Sequence, residues 1–397
     1  MSNSLALAVV CLCACASARA DSFLVLPFLN VSEDDSLEWI GESLAETVRE
    51  ALASEGVIAL SRDDRQEAFR RLSLRPNTQL TRASILRLGE VLDASQVIHG
   101  QFAFTPPAAG EPKIKGTIRI TAQILNLKKA TRGPEYTEMG ALEDLARLQI
   151  SLAFQTIRFI SPSAAASEEE FRSKRPVLRV EAVENHTRGL LATSPEQKLK
   201  LFSQAVRLDP RHSPANFELG RLYWEKQSWK PAADHFSRVA QWDIRHREAL
   251  FFLGLCRFHL GEYGAAAQAF RSVADDIPLN EVWNNLAAAQ SRLNSKEALV
   301  NFRKALEGDP GDPDYHFNVG LALFKSGDLT GAAERFRAVL DRDPEDTEAI
   351  TMLGRCLKAP PSGRVPPAAR INPQERLKET YEESAWLQLK AVLEPKP

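Results

Sequence analysis

"HFNVGLALFKSGDLTGAAERFRAVLDRDP", His316 to Pro344, holds two amphipathic runs separated by the polar break Lys325-Ser326-Gly327-Asp328. The spacing of its apolar residues predicts a helical hairpin rather than strands. Its small and aromatic residues recur along the chain. Gly220, Gly254, Gly320 and Gly354 are 34, 66 and 34 residues apart, and Ala287 takes the missing place. Phe236, Phe270, Phe302 and Phe336 follow at intervals of 34, 32 and 34, with Ala232, Ala266, Ala298 and Ala332 four residues ahead of them. Pro210, Pro278, Pro310 and Pro344 come after each second helix, with Ile244 substituting once. A period of this length means stacked two-helix units. Gly or Ala where antiparallel helices cross lets the backbones approach. The Phe is expected to fill the space between successive hairpins, and Pro stops each second helix.

With "FELGRLYWEKQSWKPAADHFSRVAQWD" (Phe217–Asp243), these markers resemble tetratricopeptide repeats. Four full repeats are expected, with a shortened one ahead ("NHTRGLLATSPEQKLKLFSQAVRLDP") and a trailing first helix ("TEAITMLGRCLK"), an array over residues 179–358. The resemblance implies that the first helix of each hairpin lines a concave groove for a protein partner. By register, that face carries Phe217, Arg221 and Trp224, then Phe251, Leu255 and Phe258. It continues with Asn284, Phe317, Leu321 and Phe324. Aromatics at helical spacing pack a core more often than they bind, yet Trp and Phe beside Arg is also the composition of an interaction hot spot. Family members that hold a peptide's terminal carboxylate use Lys, Arg and Asn. Asn285 and Asn318 fit that set, whereas Phe251, Leu255 and Asp314 do not, so the carboxylate clamp is not expected.

The trailing helix needs a cover. After a Pro-rich link, residues 359–371, the segment "NPQERLKETYEESAWLQLKAVLE" opens with Asn372 as a cap and Pro373 in the first turn. Leu377, Tyr381, Ala385, Leu389 and Val392 would share one helical face, widened by Trp386. Residues 372–397 are therefore expected to form a helix that packs on the array as its terminal cap. The competing expectation is a free amphipathic tail.

Residues 21–160 alternate strand and helix patterns. "FLVLPFL" (Phe23–Leu29), "VIALS" (Val57–Ser61), "QVIHGQFAF" (Gln96–Phe104) and "IRITAQILNL" (Ile118–Leu127) read as strands. Helical patterns lie between them, and a long helix, Leu142 to Phe159, closes the domain. The turn after the first strand has no glycine and carries Glu33, Asp34 and Asp35 at the helix start, so it repels phosphate rather than cradling it. Asp35 with Glu38 is a capping-box pair. Through "VLPFLNVSEDDSLEWIGESLAETVREAL", "VIALSR" and "LGEVLDASQVIHGQF" this stretch resembles the N-terminal domain of TolB-like and flagellar-assembly-type envelope proteins. That resemblance implies a small periplasmic α/β domain with no known catalytic centre. "SPSAAASEEEFRSKRP" (Ser161–Pro176), within residues 161–178, reads as a linker.

Residues 1–20 contain an apolar run, Leu5–Cys15, and the small-x-small site Ala18-Arg19-Ala20, as a signal peptide does. "LCAC" (Leu12–Cys15) half-resembles a lipoprotein processing site with Cys15 lipidated. Beyond this segment only Cys256 and Cys356 remain, too few for a disulfide framework or zinc cluster. A net charge of −2 argues against nucleic acid as the partner. The seven histidines form no metal-binding pair, and no nucleophile elbow or P-loop is present, so neither metal, cofactor nor catalytic residue is expected.

The chain thus reads as an α+β protein: an α/β domain followed by an all-α repeat solenoid. Its expected role is that of a non-enzymatic, exported or periplasmic adaptor that binds envelope proteins through the groove. The alternative is an outer-membrane lipoprotein of a secretion or motility apparatus, with membrane contact only through a lipid on Cys15. An enzyme with dispersed catalytic residues is the remote third.

Overall fold

A run of buried aliphatic residues, Phe23 to Leu26, starts the sheet around which the first domain is built. The computed structural model describes residues 21–75, 78–107, 116–162, 167–358 and 373–387. The expected signal segment with Cys15 and the Pro-rich link 359–371 lie outside the described residues.

Among the described residues six strands form one mixed sheet: β1 (Ser22–Val25), β2 (Leu29–Asn30), β3 (Ile58–Ala59), β4 (Gln96–Thr105), β5 (Thr117–Asn126) and β6 (Thr131–Ala141). The order is β3-β1-β4-β5-β6, and β2 adds to β4. The pairs among the first four strands are parallel, whereas β4–β5 and β5–β6 are antiparallel. Ile118, Ile120, Ala122 and Ile124 on β5 all point to one buried face, as their alternation predicts. That face packs on α1 (Trp39–Ser54) and α4 (Leu145–Ile160). Leu24, Leu26 and Val97 turn the other way, onto α2 (Arg62–Arg71) and α3 (Arg82–Val91).

Pro27 splits the expected first strand in two, because it cannot donate to a ladder. Phe28 N–H then donates to Gly41 O at 3.1 Å, at the start of α1. A side chain on Gly41 would collide with Phe28 O, so this glycine permits strand–helix contact rather than phosphate binding. The cap is Asp34 instead of Asp35: its carboxylate accepts from Ser36 N–H at 2.9 Å and opens a short 3-10 turn ahead of α1. Strand β6 carries no alternating apolar signal, since it is a largely exposed edge, and Pro134 is tolerated there.

In its described residues the stretch 161–178 is not a free linker. It contains α5 (Glu168–Ser173), whose Phe171 is buried with its ring 5.4 Å from that of Phe154, and Arg175 lies 3.6 Å above the Phe171 ring.

Eleven helices follow among the described residues: α6 (Val180–Leu191), α7 (Pro195–Leu208), α8 (Ser213–Glu225), α9 (Trp229–Phe236), α10 (His246–His259), α11 (Tyr263–Asp276), α12 (Asn280–Arg292), α13 (Glu297–Gly308), α14 (Pro313–Ser326), α15 (Leu329–Leu340) and α16 (Thr347–Lys358). Five antiparallel hairpins and a single last helix result. Pro195, Pro214 and Pro313 sit in first turns, where their missing N–H costs nothing. The small-residue rule has a direct cause: a Cβ on Gly189, Gly220 or Gly254 would meet the ring of Phe202, Phe236 or Phe270 at 2.4–2.6 Å. Each Phe therefore packs first on the glycine of its own hairpin. Phe236 also stacks on Phe252 of the next hairpin, centroids 5.6 Å apart, so the expected inter-hairpin role is shared.

The two domains are joined tightly. Val183 of α6 is buried in the core of the α/β domain. Arg245 Nη1 reaches Glu50 of α1 at 2.8 Å, while its Nε donates to Asp243 at the same distance. Burial disfavours the Arg245 guanidinium, but Asp243 and Glu50 outweigh it and hold the group firmly protonated.

The largest departure from the sequence expectation is at the C-terminus. Residues 373–382 are extended, and helix begins only at 383–387. Over the described residues 373–382 the expected capping helix is absent, because the main chain there is hydrogen-bonded to the array rather than to itself. The end of the expected helix, 388–397, lies outside the described residues.

Candidate peptide-binding groove

First helices of the hairpins present their inner faces side by side, and the extended C-terminal segment lies across α10, α12, α14 and α16. Two asparagine amides clamp alternate residues of its main chain. Arg376 N–H donates to Asn318 Oδ1 and Asn318 Nδ2 donates to Arg376 O, both at 2.8 Å. One hairpin earlier, Lys378 N–H donates to Asn285 Oδ1 at 2.9 Å, and Asn285 Nδ2 returns a bond to Lys378 O at 2.7 Å. Asn284 bridges the pair: it donates to Arg376 O and accepts from Asn318, each at 2.8 Å. All three amides are fully buried. Covered in this way, an amide without partners would cost free energy, so whatever lies on the row must offer main-chain-like donors and acceptors.

Side chains of the segment find opposite charges on either side of that row. Arg376 pairs with Asp346 at 2.7 Å, Glu348 at 3.1 Å and Asp314 at 3.3 Å, while its guanidinium lies 3.8 Å above the Phe317 ring. Lys378 Nζ lies 2.6 Å from Asp312 and 2.7 Å from Asp314. The Arg376 bond holds Asp346 below the ordinary carboxylate range. Burial alone would lower the Lys378 ammonium, but Asp312 and Asp314 outweigh it and raise the group.

The neighbouring residue has the reverse sign. Glu375 is buried, accepts from Ser291 Oγ at 2.7 Å and lies 2.5 Å from Lys325 and 2.6 Å from Arg292. Burial pushes its carboxyl up, yet Lys325 and Ser291 hold it below the usual value. Further on, the Tyr381 ring packs on Phe251 at 5.2 Å, Glu382 N–H donates to Glu281 at 2.9 Å, and Arg247 Nε donates to Glu383 at 2.8 Å.

The residues expected on this face divide into two groups. Asn284 touches the segment's main chain, Phe317 supports Arg376, and Phe251 supports Tyr381. Leu255 and Leu321 are fully buried core, and Phe217 and Phe258 are nearly so. Arg221 lies over Phe252 at 4.6 Å and pairs with Glu248 at 3.3 Å. Trp224 is half-buried among Trp229, Phe252 and His259, and Phe324 is partly buried against the core. The carboxylate clamp is replaced by its electrostatic opposite, since Asp314 receives two cations.

Of the acids that hold Arg376 and Lys378, the sequence expectation named Asp314 alone, as a residue that does not fit a carboxylate clamp. Asp314 and Glu348 belong to a column, Glu248, Glu281, Asp314 and Glu348, six residues before the small residue of each first helix. Acids in a first turn also complement the helix dipole, which hid the second role. Among the described residues no group of His, Cys, Asp and Glu could hold a metal, and no helix is long and apolar enough to cross a membrane. Cys256 and Cys356 are buried free thiols, pushed up by burial to about 12 and about 11.

Three segments, 199–243, 240–281 and 287–357, match the tetratricopeptide repeat family. Among curated proteins, the chain is 27% identical over 133 residues to the Protein CTR9 homolog of Arabidopsis thaliana, a match covering 33% of this chain and 12% of that protein. It is 20% identical over 224 residues to Tetratricopeptide repeat protein 8 of Caenorhabditis elegans, covering 55% of this chain and 40% of the relative. The chain therefore spans less than half the length of the curated relatives it matches. Among solved structures, YrrB, described as a TPR protein with an unusual peptide-binding site, is 19% identical with a TM-score of 0.40, covering 50% of this chain and 96% of that one. Such arrays are in general protein-interaction scaffolds. The helical part of this chain, from 199 to 357, is an array of tetratricopeptide repeats.

Proposed function

We propose that this protein is a non-enzymatic scaffold that works outside the cytoplasm and binds envelope proteins through the concave face of its repeat array. The observation that carries this reading is the amide row Asn284, Asn285 and Asn318, which holds an extended main chain through both its N–H and C=O groups. Side-chain amides that bond main chain recognise the extended form itself, whatever its sequence, and the flanking charges add selectivity. Export rests on the apolar run Leu5–Cys15 and the site Ala18-Arg19-Ala20, and the envelope setting on the TolB-like character of residues 21–160.

A photo-reactive residue at the partly exposed position 221 of α8 tests the reading in living cells. Adducts with exported proteins, identified by mass spectrometry, are expected. Adducts confined to cytosolic proteins would overturn the location, and a groove that gives no adduct would overturn the scaffold. The mass of the mature N-terminus decides how the chain is held: cleavage after Ala20 leaves a soluble adaptor, and a diacylglycerol on Cys15 makes it a lipoprotein.

A further inference from the structure

We propose that residues 373–387 are an intrachain ligand that occupies the groove, and that the partner is an extended protein segment with the same charge sequence: an acid, Arg, any residue, Lys, and an aromatic three residues on. The partner enters by displacing the chain's own segment. This inference deepens the scaffold reading and rests on it.

Three observations carry the assignment. The main chain of Arg376 and Lys378 is read by amides that any extended peptide could satisfy, so occupancy is exchangeable in kind. Charges in the seat alternate in the order of the segment: Lys325 and Arg292 face Glu375, whereas Asp314 and Asp346 face Arg376. The Tyr381 ring rests on Phe251, and its hydroxyl donates to Glu383 at 2.8 Å. A segment with reversed charges would set like charges against each other at four places. An uncharged one would leave buried amides satisfied but the acids unpaired.

Tethering decides the competition. Only the residues 359–372 separate the last helix from the segment. A short tether sets an effective concentration on the order of millimolar. A free peptide of ~10 µM intrinsic affinity is then weakened ~100-fold while the chain's own segment is seated. The groove is thus closed to weak or mismatched ligands and open to a stronger or multivalent one.

The test uses the full chain and a fluorescently labelled peptide of residues 373–387. Arg376→Glu with Lys378→Glu unseats the segment without altering the groove. The peptide should bind this variant, bind wild type ~100-fold more weakly, and lose binding to both when its own Arg and Lys are changed to Glu. Hydrogen exchange at residues 376 and 378 reports whether the segment has left. A protease site placed within 359–371 and cut after folding provides the same release with no change to the segment or the groove.

Equal binding to wild type and released protein would show that nothing is being displaced and overturn the proposal. So would absence of binding once the amides of 376 and 378 have lost protection, or their full protection in the variant. A wild-type dimer that falls apart in the variant would assign the segment to a second copy and overturn the intrachain arrangement. Failed peptide binding together with envelope adducts from position 221 sinks only this inference. Peptide binding without any adduct sinks the scaffold reading instead.

Discussion

The front and back halves of the array share one backbone plan and use it differently. Two residues before the small residue of each first helix stand Glu218, Phe252, Asn285 and Asn318. Five residues after it stand Glu225, His259, Arg292 and Lys325. In the front half the ring members of these columns close on their own neighbours: Phe252 stacks on Phe236 and lies under Arg221, and His259 stacks on Trp229 at 4.4 Å. Arg245 is committed to Glu50 of the α/β domain. In the back half the same columns carry amides and cations, and they hold a separate chain segment. Aromatic residues are satisfied by packing alone, whereas buried amides need hydrogen-bonding partners. Residue identity, at constant geometry, turns a packing column into a binding column.

The widest separation between the halves is expected for Phe252. It is buried and packs on Phe236, Trp224 and Phe251, so Phe252→Ala should cost about 3–5 kcal/mol in urea unfolding. A loss below about 1 kcal/mol would mean that the front column is not core and would dissolve the contrast.

Next in size is a pH effect at the domain junction, where the front half is anchored. Burial, with Arg245 adding to it, holds the His212 imidazole down to about 4, and His186 beside it is lowered in the same direction. An unfolded histidine titrates near 6.5, so below that pH the unfolded chain binds a proton that the folded chain refuses. The contribution is complete above about pH 6.5 and shrinks as pH falls toward about 4, a loss of roughly 3 kcal/mol. His212 Nδ1 also caps α8 by accepting from Ala215 N–H at 3.3 Å, a task Asn performs well. His212→Asn should flatten this slope at unchanged helix content; an unaltered slope would place the titrating group elsewhere.

A smaller effect belongs to the back half. Asn318→Ala removes both bonds to Arg376 and should cost about 1–3 kcal/mol, with loss of exchange protection at residues 376 and 378. Global unfolding without earlier release of the segment would make the amide row a structural core element rather than a seat.

Arg221 should give the smallest change. It is partly exposed, and its pair with Glu248 spans 3.3 Å, so Arg221→Ala should shift stability by less than about 1 kcal/mol. A larger loss would place Arg221 in the packing column with Phe252.

Much of the architecture is legible in the sequence itself. The Gly, Ala, Phe and Pro markers placed the hairpins because a crossing of two helices has room for a small residue only, and that constraint is local. The alternation of Ile118, Ile120, Ala122 and Ile124 announced one buried sheet face for the same kind of reason. The edge strand β6 leaves no signal in the sequence because it is held by pairing to β5 and buries little of its own. Glu168 to Ser173 looked like linker because one buried residue, Phe171, leaves no periodic trace.

The C-terminal segment marks the boundary most sharply. Leu377, Tyr381 and Ala385 have helical spacing, and Asn372-Pro373 is a good helix start, so local preference alone chose a helix. The structure chose an extended chain, because Asn285 and Asn318 pair the main-chain groups of Arg376 and Lys378 that a helix would have paired internally. By itself the sequence determined which residues repeat, and hence the solenoid and its inner face. Only tertiary structure decided what lies on that face, because the groups that compete for the segment's backbone sit 58 to 93 positions away along the chain.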